Sequence, residues 1–205
     1  MNEHIDVKHL VDYHCKSFIT RDLLFQQVYE EILTFSYWVS AFKPHNILNI
    51  GYRGSTFHIL SHLSTGKKMA VDIHDEGRRK RAHYSLYGHD YRLLIMDSQQ
   101  EYTKKQVVNF CPEYDLIFID GDHSYEGVKA DFELYKDLLS SRGYIVFHDI
   151  DPNNVFKDNL SGQVYKFWEE LDEGTKTEII TSKSAGRIKI NGEPEHHGGI
   201  GLWKP

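Results

Sequence analysis

The stretch Asp115-Leu-Ile-Phe-Ile-Asp120-Gly-Asp-His123-Ser-Tyr-Glu126 constrains this chain more than any other, because an apolar run ends abruptly in acid, glycine, acid and imidazole. A short, non-alternating, β-rich apolar run reads as a strand covered on both faces, as in a parallel sheet flanked by helices. Asp120, Asp122 and His123 then fall at the strand's carboxyl end. In open α/β sheets that edge opens into the crevice where ligands bind. The alternative is an acidic turn followed by a helix cap at Ser124. The density of ionisable groups favours a site.

The same grammar recurs along the chain. Ile47-Leu-Asn49-Ile-Gly51-Tyr-Arg-Gly54-Ser55 reads as a strand, a glycine turn and a helix start, with free backbone N–H groups at the helix N-terminus. Lys67 to Asp72 is a second acid-terminated strand, and a carboxylate at Asp72 can accept both hydroxyls of a ribose. Tyr91 to Met96 is a third, followed by Asp97 and Ser98, which also suit a helix start. Tyr144 to Phe147 ends in His148 and Asp149. Helical periods run from Arg21 to Phe42, closed by Lys43-Pro44, and through Val128, Phe132, Tyr135 and Leu139. Val164 to Leu171 is a short helix, Thr177 to Thr181 a sixth strand, and Ile200 to Trp203 a closing strand. Ser182 to Gly199 reads as a hairpin-like excursion. Residues 1–19 are mixed and fix no element.

The length of 205 residues suits one α/β domain, with residues 1–42 as a helical segment packed on a domain of residues 43–205. The apolar stripe of the Arg21–Phe42 helix packs either on that core or on a second copy in a homodimer. A net charge of −6 argues against nucleic acid or an anionic membrane as partner. Cys15 and Cys111 match no metal or redox spacing, and the N-terminus lacks a basic start and apolar block, so a cytoplasmic protein is expected. The basic run Arg78 to Arg81 reads as a solvated helix face, and His196-His197 as loop.

The segments FIDGDHSYEGVKADFELYKDLL and GYIVFHDI resemble methyltransferase family 24 of the class I S-adenosylmethionine-dependent methyltransferases, relatives of sugar and natural-product O-methyltransferases. The resemblance is strongest from Asp115 to Asp151 and continues in order from Ile47 to Ser98. It implies a Rossmann-like, seven-stranded, mostly parallel sheet with helices on both faces and an antiparallel last strand. It also implies that Asn49, Gly51, Gly54 and Ser55 surround the methionine part of S-adenosylmethionine, that Asp97 and Ser98 lie beside adenine, and that Asp120 borders the cofactor. Two features depart from the family's pattern: Asn49 stands where an acid is usual, and the glycine spacing is tighter. The glycine pattern also fails the dinucleotide fingerprint G-x-G-x-x-G.

Catechol-type relatives place metal-binding acids at the positions of Asp120 and Asp149 and a lysine base where this chain has His123. An imidazole can serve as that base near neutral pH. By this resemblance Asp120 and Asp149 are candidate ligands for Mg²⁺; an asparagine follows the second acid in those relatives but Ile150 does here, so a third ligand is expected from His148, Asp122 or Asp151. The expected activity is methylation of a hydroxyl on a small molecule, a sugar or secondary metabolite, with His123 and Asp120 as the catalytic pair. A noncatalytic nucleoside- or cofactor-binding module of the same fold is the alternative.

Overall fold

The computed structural model describes residues 5–19, 28–52, 55–74, 91–152, 162–172, 174–181, 187–188, 194–195 and 198–205. Its elements in order are α1 (Val7–Ile19), α2 (Tyr29–Phe42), β1 (Ile47–Ile50), α3 (Ser55–Leu63), β2 (Lys68–Asp72), β3 (Arg92–Ile95), α4 (Glu101–Phe110) and β4 (Tyr114–Ile119). Then follow α5 (Tyr125–Tyr135), a single 3₁₀ turn (Lys136–Leu138), β5 (Leu139–His148), α6 (Val164–Glu170), β6 (Thr175–Ile179), a ribbon of β7 (Arg187–Ile188) and β8 (Pro194–Glu195), and β9 (Ile200–Lys204).

Seven strands form one sheet in the order β3-β2-β1-β4-β5-β9-β6. Every pairing from β3 to β5 is parallel, and β9 lies antiparallel to both β5 and β6. The chain moves outward from β1 through β2 to β3, then returns to place β4 on the other side of β1. That reversal is the switch point at which an α/β sheet opens a crevice beyond its strand ends.

The central strands are apolar because both their faces are covered. Leu116 and Phe118 point to a core built with Val11, Phe35, Val39 and Leu60 from α1 to α3. Ile117 and Ile119 point to the opposite core, with Val107, Phe132 and Phe167 from α4 to α6. The mixed segment before residue 19 is thus helical, and α1 buries Val7, Val11 and Cys15. The periodic stretch beginning at Arg21 is helix over Tyr29–Phe42, its residues 21–27 lying outside the described ones. Lys43 takes a left-handed φ of 53° and ends it one residue before Pro44.

The strand expected from Tyr144 starts earlier: β5 begins at Leu139, takes in Arg142 and Gly143, and slips register between Tyr114 and Leu116 of β4. Asp115 organises that irregularity by accepting hydrogen bonds from Ser140 Oγ at 2.8 Å and His45 N at 2.7 Å. The ribbon β7-β8 agrees with a hairpin-like excursion. Among the described residues no helix is long and apolar enough to cross a membrane.

Candidate active site

The crevice at the switch point occupies about 360 Å³ and is lined by the loops after β1, β2, β3 and β4, including Gly51, Asp72, Asp97, Ser98, Asp120 and Gly121. Each loop is positioned by backbone groups at a strand end. Gly51 N donates to Val71 O at 2.8 Å and Asp120 N to Ile50 O at 2.8 Å, so the first and fourth loops are drawn together. Gly51 has a φ of 87°, and a Cβ there would stand 1.8 Å from the Asp120 carbonyl oxygen. Only glycine fits this turn.

Asp72 Oδ2 accepts from Tyr52 N at 2.6 Å and Oδ1 from His74 N at 2.7 Å, which holds its carboxylate rigidly at the crevice wall. A carboxylate oxygen can accept more than one hydrogen bond. Asn49 is buried and does not line the crevice; its Nδ2 donates to Gly51 O at 2.8 Å, and its Oδ1 has no hydrogen-bond partner. It therefore shapes the glycine turn from behind. Ser55 opens α3, but its side chain and all of Gly54 lie outside the described residues.

Asp97 prepares the helix start without being its cap. Its Oδ1 accepts from Gln99 N at 3.0 Å and its Oδ2 from Gln100 Nε2 at 2.9 Å, closing a turn before α4, whose N-cap is Gln100. It also faces the crevice. Ser124 caps α5 by accepting from Gly127 N at 3.0 Å, and Asp122 Oδ1 accepts from Ser124 N at 2.9 Å. The cap reading and the site reading of this stretch thus coexist.

At the β4–β5 edge of the crevice two carboxylates and two imidazoles alternate. His123 Nε2 lies 3.3 Å from Asp120 Oδ1 and His123 Nδ1 lies 3.5 Å from Asp149 Oδ2. His148 Nδ1 lies 3.1 Å from Asp120 Oδ1 and 3.2 Å from Asp149 Oδ1. The parallel pairing of Ile119 with Phe147 brings Asp120 and Asp149 to one rim. Asp149 has a φ of 65°, a left-handed conformation that Asp tolerates at some cost in strain and that marks many functional sites.

Burial alone would raise Asp120 and Asp149, but the adjacent imidazoles overcome it and hold both carboxylates below their ordinary range. Burial would likewise lower His123 and His148, yet the facing carboxylates raise both, His148 most strongly. The four groups thus balance one another's charge.

Asp120, His123 and Asp149 offer ligand atoms that all lie within 4.8 Å of one another. That spacing and the two carboxylates fit a divalent cation. His148, expected beside the two acids as a ligand, is almost wholly buried with its Nδ1 turned to both carboxylates, while His123 stands in the ligand-spaced group. Asp122 turns toward α5, and Asp151 is held by its N–H to Gly198 O at 3.1 Å.

Two groups escaped the sequence reading. Glu31 on α2 is buried and accepts from Gly199 N at 2.7 Å and Thr181 N at 3.1 Å, joining the N-terminal helix to the sheet beside His148. Asp131 on α5 is fully buried, and neither of its oxygens makes a hydrogen bond. Its signal was present: an acid at an inward helical position among Val128, Phe132 and Tyr135.

A Rossmann-like sheet with acids ending β2, β3 and β4 around a switch-point crevice defines a nucleoside-cofactor fold of the class I methyltransferase type. The model of methyltransferase family 24, described as a methyltransferase domain, matches residues 48–150, and the chain belongs to that family.

Among solved structures, the fold is similar to the O-methyltransferase from Bacillus cereus in complex with SAH, with a TM-score of 0.66 at 17% identity over 96% of this chain and 91% of that one. It is also similar to the N-methyltransferase NodS from Bradyrhizobium japonicum in complex with S-adenosyl-L-homocysteine, with a TM-score of 0.62 at 13% identity over 98% of this chain and 100% of that one. A sequence relative, the uncharacterized protein y4gI of Sinorhizobium fredii, is 27% identical over 151 residues, which is 67% of this chain and 16% of that protein. The chain thus aligns with only a small part of that longer relative.

Proposed function

We propose that the protein transfers a methyl group from S-adenosylmethionine to a hydroxyl of a small molecule, a sugar or secondary metabolite. The observation that carries this reading is the place of Asp120. Its loop lines the nucleoside crevice, and its carboxylate belongs to the rim formed with His123 and Asp149. A cofactor seated over Gly51 and Asp72 would present its sulfonium methyl toward an acceptor at that rim, and such positioning accounts for much of the acceleration.

The residues have complementary tasks. Asp72 binds the ribose hydroxyls, while Asn49 holds the turn at Gly51 against which the cofactor lies. His123 takes the acceptor's hydroxyl proton on a ring nitrogen, and Asp120 and Asp149 stabilise the imidazolium that results. His148, behind them, keeps both carboxylates ionised and fixed in direction. Asp120 and Asp149, whose oxygens lie at ligand spacing, would hold a divalent ion, which would supply acidification of the acceptor hydroxyl and leave His123 unligated as the base.

A noncatalytic cofactor-binding module is the competing reading, favoured by Asn49 in place of the family's acid. Incubating the protein with methyl-labelled S-adenosylmethionine and a panel of hydroxylated and amine acceptors, with Mg²⁺ or with chelator, tests the assignment. Transfer to a hydroxyl supports it. Cofactor binding with no transfer to any acceptor supports the binding module, and transfer only to amines replaces O- with N-methylation.

A further inference from the structure

The acceptors around the nucleoside crevice are nearly all engaged. Asp72 receives hydrogen bonds from Tyr52 N of the loop after β1 and His74 N of its own loop, both oxygens of Asp97 receive them from its own turn, Asp122 Oδ1 receives one from Ser124 N, and the Ser98 carbonyl receives one from Tyr135 Oη at 2.7 Å. Among the described residues Asn49 Oδ1 lacks such a partner, and so does the carboxylate of Asp131. Asp131 is 0% exposed, yet neither carboxylate oxygen has a hydrogen-bond partner, an arrangement costly enough to need a reason.

Its location supplies one. Asp131 and Tyr135 lie one turn apart on α5, and Tyr135 already grips the Ser98 backbone. The Ser98 side chain acts on the Asp131 carboxyl as a hydrogen-bond donor, although neither oxygen meets full hydrogen-bond geometry. Gly121, which lines the crevice, separates Asp131 from it without a side chain; a Cβ there would be 3.4 Å from Asp131 Oδ2. Asp131 therefore stands directly behind the part of the wall formed by Ser98 and Gly121.

A hydroxyl has one proton and two lone pairs, so the group behind it decides what it shows in front. With an acceptor behind, Ser98 Oγ points its proton inward and presents a lone pair to the crevice. Either protonation state of a carboxyl leaves an oxygen able to accept. We propose that Asp131 is a positioning residue for the nucleobase: it accepts a hydrogen bond from the Ser98 hydroxyl, so that Ser98 accepts from the exocyclic amine of a 6-aminopurine and disfavours a 6-oxopurine. The inference rests on the methyltransferase reading and adds to it the residue pair that selects the base.

Titration calorimetry on the full chain, with S-adenosylhomocysteine and its deaminated analogue S-inosylhomocysteine, tests the pair. The wild type should bind the adenine compound about tenfold tighter, the order expected when one neutral hydrogen bond is replaced by two facing acceptors. In Asp131→Leu no acceptor stands behind Ser98, its hydroxyl can turn its proton to the crevice, and the ratio should fall to within about threefold of unity. Ser98→Ala should lose the preference as well.

A merely structural Asp131 would weaken both ligands by one factor, and an unchanged ratio in Asp131→Leu overturns the proposal. Should that variant fail to fold by circular dichroism, Ser98→Ala decides, and a retained preference there is equally fatal. A wild type that binds both compounds equally refutes base selection while leaving the methyltransferase reading intact. A wild type that binds neither removes both.

Discussion

The backbone of Gly51 crosses the backbone of Asp120 so closely that a side chain at residue 51 would overlap the Asp120 carbonyl, with a Cβ 1.8 Å from its oxygen. The glycine turn proposed to hold the cofactor and the acid proposed to face the acceptor are therefore one packed unit. Gly51→Ala should lose at least about 2 kcal/mol of stability, from the strain of a positive φ and the displaced loop. It should also lose detectable cofactor binding. Chemical denaturation with calorimetry would show this, and a stable variant with intact binding would mean that the two loops move independently.

Cofactor binding should depend on Asp72. S-adenosylhomocysteine at 100 times its dissociation constant should stabilise the wild type by about 2.7 kcal/mol, and NAD should not. Asp72→Ala should abolish most of that shift, since it deletes the fixed carboxylate that faces the ribose. The measurement is a thermal melt with each ligand; stabilisation by NAD alone would contradict the cofactor assignment.

The rim should separate ion binding from proton transfer. Asp120→Asn and Asp149→Asn should remove any dependence of turnover on Mg²⁺ while cofactor affinity stays within a few-fold, because Asp72 and the Gly51 turn remain. His123→Ala should lower turnover by roughly 10²- to 10⁴-fold, the range for loss of a general base. Single-turnover assays across a Mg²⁺ titration distinguish these effects. Metal-independent turnover surviving all three changes would make the rim structural.

The pH dependence follows from the same four groups. His123 and His148 are raised above the ordinary histidine value, so their contribution to stability is complete below about pH 6.5 and is lost as pH climbs through the folded values. Asp120 and Asp149 are lowered, so theirs is complete above about pH 4 and is lost as pH falls through the folded values. The network therefore contributes most between about pH 4 and 6.5. In chelator, the stability difference between wild type and His148→Gln should be largest near pH 5 and shrink in alkali. A difference independent of pH would mean that His148 folds as a neutral imidazole.

Glu31 should prove that the N-terminal helix belongs to the domain. Its carboxylate satisfies the N–H groups of Gly199 and Thr181 inside the protein. Glu31→Ala should cost about 1–3 kcal/mol, because buried donors lose their partner. Urea denaturation reads this directly, and a neutral result would indicate that water replaces the carboxylate.

The strands and their acid endings were legible in the sequence because burial on both faces demands unbroken apolar runs, and because ionisable groups can follow such a run only at the sheet's edge. Asp72, Asp97, Asp120 and Asp149 were found by that rule, and α5 by its inward-facing Val128, Phe132 and Tyr135. Local chemistry also fixed the glycine at residue 51 and the cap at Ser124.

Tertiary structure alone decided which of these groups meet. Register between β4 and β5 set Asp120 beside His148, and the left-handed backbone at Asp149 turned its carboxylate to His123, so that His123 joined the ligand-spaced group and His148 stood behind it. The roles of Asn49 and Glu31 were equally invisible, and Asp131 showed only as an acid at an inward helical position, since what each does depends on a partner distant in space or on the absence of one. Hydrophobic period and turn chemistry are local properties that a sequence states outright. The pairing of buried polar groups is set by distances between elements, which exist only once the sheet has closed around its core.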